Sequence, residues 1–263
     1  NVKNEINKIS EFKTTLGKFV SLEGDWVVGL TQISYTRSWY NILNAQNIVL
    51  TDILGKVYGE NDNIIITPGY YETPSKLINE INNLLNKFSI DIKPKLTYNE
   101  TNNSVTVYAG QYDSRYIYPV LGEEIENILG LNNRNNFYNE YTHINMLNNE
   151  EYVIKTEDIY SSNYFKAYHP VEITGGFHSL LCYSDIVYPS YVGDTFAPLL
   201  RLIEVPKRYK FGETIHINYD RIYYIPVMCN EFETIEISIK DDSGKLVPFQ
   251  FGRCSLTLHF KKL

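Results

Sequence analysis

Thr234-Ile235-Glu236-Ile237-Ser238-Ile239-Lys240 alternates without a break. Ile235, Ile237 and Ile239 share one face, and Thr234, Glu236, Ser238 and Lys240 share the other. That period of two is the mark of a strand with one side against a core. Leu256-Thr257-Leu258-His259-Phe260 repeats it near the end of the chain. Between the two runs lies Asp241-Asp242-Ser243-Gly244, a turn. Its Asp bonds neighbouring backbone and its Gly supplies a positive φ. Clean alternation of this kind belongs to antiparallel sheets with one solvated face.

Further strands appear on either side. Asp25 to Arg37 carries Trp26, Val28 and Leu30 on one face and Val27, Ile33 and Tyr35 on the other. Apolar groups on both faces predict a central strand. Glu11 to Leu22 holds two short apolar stretches. Asn47 to Ile53, Asn63 to Thr67, His178 to Val187, Phe196 to Val205, Thr214 to Ile217 and Arg221 to Val227 read as further strands. Pro189 and Pro206 end two of them.

The middle of the chain has another character. Thr73-Pro74 is a helix start, with Thr as N-cap and Pro at the first helical position. Leu77, Ile81, Leu84, Leu85 and Phe88 follow on one face. Leu96 to Tyr98 and Val105 to Tyr108 form a hairpin around an Asn-rich turn. A second helix runs from Glu123 to Leu129, stopped by Gly130. Asn132 to Asn149 is Asn-rich, without period, and long enough to read as a functional or mobile loop. Many short strands and two helices predict an all-β domain, a single jelly-roll β-sandwich with an α/β insertion. The expected division is residues 1–67 and 150–263 for the sandwich and 68–149 for the insertion.

Composition narrows the function. The chain has 263 residues, with 24 Lys plus Arg against 31 Asp plus Glu and a net charge of −7. That balance argues against a dedicated nucleic-acid binder, whose affinity comes from cations on phosphate. No apolar run reaches the roughly 18 residues a membrane helix needs. No basic n-region leads into an apolar h-region. The chain begins at Asn1 rather than Met, so the expected N-terminus is missing or processed. Cys182, Cys229 and Cys254 have no paired spacing and read as free thiols in a reducing compartment.

No pattern carries chemistry. GxSxG, GxGxxG, a P-loop and HExxH are all absent from the sequence. His178 and Ser179 are neighbours and would point to opposite faces of a strand. Asp241 and Asp242 lack the alternating acids of a Ca²⁺ loop and read as a turn. His143, His169, His178, His216 and His259 are dispersed, so a metal site, or a cupin-like oxygenase that needs one, is not expected. Lys207-Arg208-Tyr209-Lys210 is a small basic cluster that reads as a solvated loop. We therefore expect no catalytic residue, no metal and no cofactor.

Tyrosine is abundant, with 23 residues. Tyr is enriched at interfaces because it offers large contact area and a polar tip. It is also encoded by AT-rich codons, like the abundant Asn and Ile, and both readings stay open. Tyr223 and Tyr224 join Tyr188, Tyr191, Tyr209 and Tyr219 near loops and strand ends. Position of that kind makes Arg37, Trp39, Tyr40, Tyr188, Tyr191, Arg201, Tyr209 and Tyr219 the interface candidates.

Several stretches resemble one family. Leu22-Glu23-Gly24-Asp25-Trp26-Val27-Val28-Gly29-Leu30-Thr31-Gln32-Ile33, continuing to Asn41, resembles a signature of a protein of Maverick/Polinton elements, the virus-like DNA transposons of eukaryotes. Pro68-Gly69-Tyr70-Tyr71 and the helix to Leu85 resemble a second. Asp185 to Val187 with Val192 to Arg201 resembles a third. Phe232 to Ile237, the Asp241 to Lys245 turn, Val247-Pro248-Phe249 and Thr257 to Phe260 resemble a fourth. The family is similar to virus minor capsid proteins, the single-jelly-roll pentons at icosahedral vertices.

The resemblance implies a homopentamer in the virion that contacts the major capsid protein, with assembly in host cytoplasm or nucleus. It implies no small-molecule substrate and no catalytic residues. Major capsid proteins of this lineage are longer double jelly rolls, so the length favours the penton. The alternative is a monomeric sandwich module that binds a host receptor or glycan.

Overall fold

A computed structural model describes residues 7–52, 55–58, 64–131, 163–175 and 178–263. The Asn-rich stretch 132–149, with His143, lies outside the described residues. The chain forms two compact units, Asn1–Tyr40 with Gly176–Leu263, and Asn41–Gly175.

In chain order the first unit contributes β1 (Glu11–Ser21) and β2 (Trp26–Thr36). The second unit follows with β3 (Gln46–Asp52), β4 (Val57–Tyr58), β5 (Ile64–Ile66), α1 (Pro74–Leu85), β6 (Lys95–Asn99), β7 (Ser104–Tyr108), β8 (Gly110–Tyr112), β9 (Arg115–Val120), α2 (Glu123–Ile128) and β10 (Tyr164–Lys166). The chain then returns to the first unit through β11 (Ser179–Ser184), β12 (Ser190–Val192), β13 (Thr195–Ala197), β14 (Leu199–Glu204), β15 (Thr214–Asn218), β16 (Ile225–Pro226), β17 (Glu231–Lys240) and β18 (Cys254–Lys262).

The first unit is a two-sheet antiparallel sandwich of the jelly-roll kind. One sheet has the order β1-β17-β11-β14. The other is built on β2, paired with β18 along its length and with β15 and β16 on its other side. The chain crosses between sheets at β1–β2, β14–β15, β16–β17 and β17–β18. The expected central strand is β2, and the alternating pair is β17 and β18. Ile237 and Ile239 are buried and meet Leu180, Cys182, Leu200 and Ile203 of their own sheet. From the other sheet, Val28, Leu30, Ile33 and Tyr35 close the same core, with Leu256, Leu258 and Phe260 partly buried against it. Ile235, opposite Thr14 of β1, is also only partly buried.

The turn between β17 and β18 is built as its residues demand. Asp241 Oδ1 accepts from the backbone N–H of Ser243 and of Lys245, both at 2.9 Å. Gly244 takes φ +79°.

The second unit has its own core. Leu77, Ile78, Ile81, Leu84 and Leu85 of α1 pack against Ile48, Leu50, Ile66, Leu96 and Val107 of its strands. Thr73 caps α1, its Oγ1 accepting from Lys76 N at 3.2 Å, and Pro74 is the first helical residue. The expected hairpin is β6 and β7, with Asn103 at φ 51° in its turn. No helix among the described residues is long and apolar enough to cross a membrane.

Three expectations change. The division falls at 40/41 and 175/176, not at 67/68 and 149/150. β3 and β5 pair with each other and pack with α1, so they belong to the second unit. Asn41 closes that unit at its root: its Nδ2 donates to Tyr71 O at 2.8 Å and to Ile173 O at 2.7 Å. Phe196 to Val205 is two strands, because Pro198 cannot donate to the ladder and separates β13 from β14. Within Arg221 to Val227 only Ile225–Pro226 is strand. The preceding residues instead form a loop across Gly29, so close that a Cβ there would lie 2.4 Å from Ile222 Cγ2 and 2.5 Å from Tyr223 O.

Candidate interaction surface

The candidate surface lies on one flank of the sandwich. Edge strand β14 ends one sheet and β15 lies beside β2 in the other, and the 205–213 connection joins them. Between them runs a groove of about 440 Å³, lined in part by Arg201, Glu204, Arg208, Tyr209, His216 and Tyr219. Edge strands carry unpaired backbone groups and are natural docking lines.

Arg201 organises the flank. It pairs with Cys182 of β11 where the β11–β14 register shifts, so its side chain leaves β14 on the face that looks toward the other sheet. The guanidinium carbon lies 3.9 Å from the Tyr219 ring centre and 4.7 Å from that of Tyr223. Nη1 donates to Arg221 O at 3.4 Å. One cation therefore ties β14 to the 219–224 loop, through two ring faces and a carbonyl. Burial pushes the Tyr219 hydroxyl above its usual range, and Arg201 partly offsets that. At the far end of the loop, Tyr224 Oη and His259 Nδ1 share a hydrogen bond of 2.8 Å.

Arg208 stacks on Tyr209, with its guanidinium 4.9 Å from the ring centre. Arg37 reaches the same place from beneath, donating through Nη1 to Tyr209 O. Just ahead of β14, the β12–β13 hairpin presents an aromatic pair. Tyr191 is 81% exposed and Phe196 62% exposed, and their rings meet edge-on at 5.3 Å. Tyr188 and Met228 are exposed beside the Val187–Val227 bridge. Aromatic rings, Met and Arg are the residue types enriched where proteins meet.

The structure thus brings Arg201, Tyr209 and Tyr219 together in one groove, with Arg37 buried behind Tyr209. Tyr188 and Tyr191 stand exposed on the segment that leads into β14. Tyr40 lies apart from the groove, stacked on Phe211 at 5.9 Å. Trp39 is corrected: it is 2% exposed and packs in the core against Tyr35 and Phe249. Arg37 is likewise buried and presents no side chain to a partner. The interface set left out Phe196, Leu202, Arg208 and His216, which the structure places on or beside the flank. Pro198 was the available signal for Phe196, since it separates a hairpin from the strand after it.

Among the described residues, no group of three or more His, Cys, Asp or Glu could hold a metal. Cys182, Cys229 and Cys254 are free.

No protein-family model matches the chain, and no curated protein does. Among solved structures the chain is similar to the mavirus penton protein, with a TM-score of 0.48 and 9% identity, over 98% of this chain and 92% of that one. It is also similar to a chain of the Sputnik virophage structure, with a TM-score of 0.41 and 10% identity, over 97% of this chain and 92% of that one.

Proposed function

We propose that the chain is a structural capsid subunit, a penton-like minor capsid protein of Maverick/Polinton type. In this reading it assembles as a homopentamer, sits at a virion vertex and contacts the major capsid protein around it. The observation that carries the reading is where the resembling stretches fall in the fold. Three of the four, far apart in sequence, fold into the same sandwich. Leu22 to Asn41 supplies β2, Val192 to Arg201 leads into β14, and Phe232 to Phe260 supplies β17 and β18. The remaining stretch, Pro68 to Leu85, supplies α1 of the second unit.

The physical demands of the role agree with this arrangement. A ring subunit needs a rigid sandwich and two flanks that meet its neighbours. The β14–β15 flank offers exposed rings and arginine on a strand edge. The test is the solution mass of the purified chain by light scattering. A mass near five times 30.6 kDa is expected.

The groove supports a second reading, a monomeric module for a host receptor or glycan. Its volume of about 440 Å³ falls within the usual range of ligand sites. A monomer that binds in a glycan screen, and loses binding on Tyr219→Ala, would favour it.

A further inference from the structure

We propose that the β14–β15 groove holds an anionic glycan, a sugar that carries a carboxylate or a sulfate. The inference rests on the second reading above and names the class of ligand that the groove would take.

Two arginines carry it. Arg201 and Arg208 both line the groove. Each guanidinium lies against aromatic rings, Arg201 against Tyr219 and Tyr223 and Arg208 against Tyr209. Arg201 donates to Arg221 O at 3.4 Å, and Arg208 donates to Tyr209 Oη at 3.1 Å. Most of the donors of both forks remain for a ligand. Among the described residues, no carboxylate pairs with either arginine. A guanidinium fork matches a planar anion with two parallel hydrogen bonds. Rings that already hold the fork in place lower the cost of ordering it on binding.

The surrounding charges agree. Lys207, Lys210 and Arg221 are exposed on the rim, against Glu204, Glu213 and Asp220. Arg37 adds a cation beneath Tyr209. The Glu213 carboxylate is turned to the Lys210 backbone N–H at 2.8 Å. Glu204 shares a face of β14 with exposed Leu202, opposite the face of Arg201 and buried Ile203.

The rest of the lining suits a hydroxylated ring. Glu204, His216 and Asn218 offer polar groups to hydroxyls, and Leu202, Pro206 and Ile217 offer apolar surface to ring carbons. The net charge of −7 opposes a long polyanion more than a short acidic sugar held in one groove.

The test is isothermal titration calorimetry on the full chain with sialyllactose and sulfated lactose, each compared with lactose. Circular dichroism confirms that each variant is folded. At least one acidic sugar should bind about tenfold or more tightly than lactose. Which one binds tells whether carboxylate or sulfate is read. Arg208→Gln should remove most of that preference. Lys95→Gln, on exposed β6 of the second unit, should keep it. Lactose binding as tightly as both acidic sugars would overturn the anionic class and leave the glycan reading standing. Equal effects of the two variants would overturn the groove as the site. A short single-stranded oligonucleotide that binds more tightly than either acidic sugar, and weakens in Arg208→Gln, would make the groove a phosphate site instead. If none of the three sugars binds, the glycan reading falls and this inference with it.

Discussion

The guanidinium of Arg201 lies 3.9 Å from the ring centre of Tyr219, so a cation on an edge strand of one sheet is held on an aromatic face beside the other sheet. Tyr223 covers it at 4.7 Å. Such contacts contribute roughly 0.5–2 kcal/mol, depending on how dry the site is. Arg201→Ala should therefore lower stability by about 1 kcal/mol in urea unfolding. Arg201→Lys should recover only part of that, because an ammonium cannot stack as a planar guanidinium does. Equal stability of the alanine variant and the parent would remove the clamp from the account.

Ile237 makes a sharper prediction for the sandwich core. It is 4% exposed and pairs with Phe12 on one side and Ser184 on the other. Ile237→Asp buries an unpaired charge, which costs at least several kcal/mol. The variant should be largely unfolded by circular dichroism at room temperature. A melting point within a degree of the parent would show that this face of β17 does not bear on the core.

Asn41 should matter out of proportion to its size. It is buried and joins Tyr71 and Ile173 through their backbone at the root of the second unit. Asn41→Ala leaves two carbonyls and one N–H without this partner. Each such loss costs on the order of 1–3 kcal/mol when buried. Hydrogen exchange should rise at Tyr71 in the variant, and unchanged protection there would contradict the role.

Alkaline pH should destabilise the sandwich through its thiols. Burial raises Cys254 from its ordinary 9.0 to about 12. Burial raises Cys182 as well. Above pH 9 the unfolded chain releases these protons while the folded chain keeps them. The unfolded state then binds fewer protons, and stability falls as pH rises. The Cys254 share is complete below pH 9.0 and is lost progressively toward about pH 12. Cys254→Ala should flatten the fall in Tm across that window, and an unchanged slope would assign the effect elsewhere.

The sandwich was most legible where one face meets water. β17 and β18 alternate because each has a dry side and a wet side. β2 reads as apolar on both faces, but a bulge at Thr31 shifts its phase and brings Val28, Leu30, Ile33 and Tyr35 to one core. Assignment of strands to units was not legible. β3 and β5 read like any other strand, and only their pairing with each other and their packing on α1 place them in the second unit. Trp39 was misread for a related reason. The alternation of β2 stops at Thr36, so no local pattern shows that the loop beyond it turns inward to stack on Tyr35 and Phe249. The flank was half legible. Tyr188, Tyr191, Arg201, Tyr209 and Tyr219 stood out by type and position. Their convergence depends on β14 and β15 being neighbouring edges of two sheets, which no local pattern records.

The central claim is a closed ring of five copies, and electron microscopy of the purified chain tests it most directly. Class averages of negatively stained particles should show closed rings of five subunits. Single subunits at the highest concentration the protein tolerates, or open filaments from a head-to-tail contact that fails to close, would contradict it.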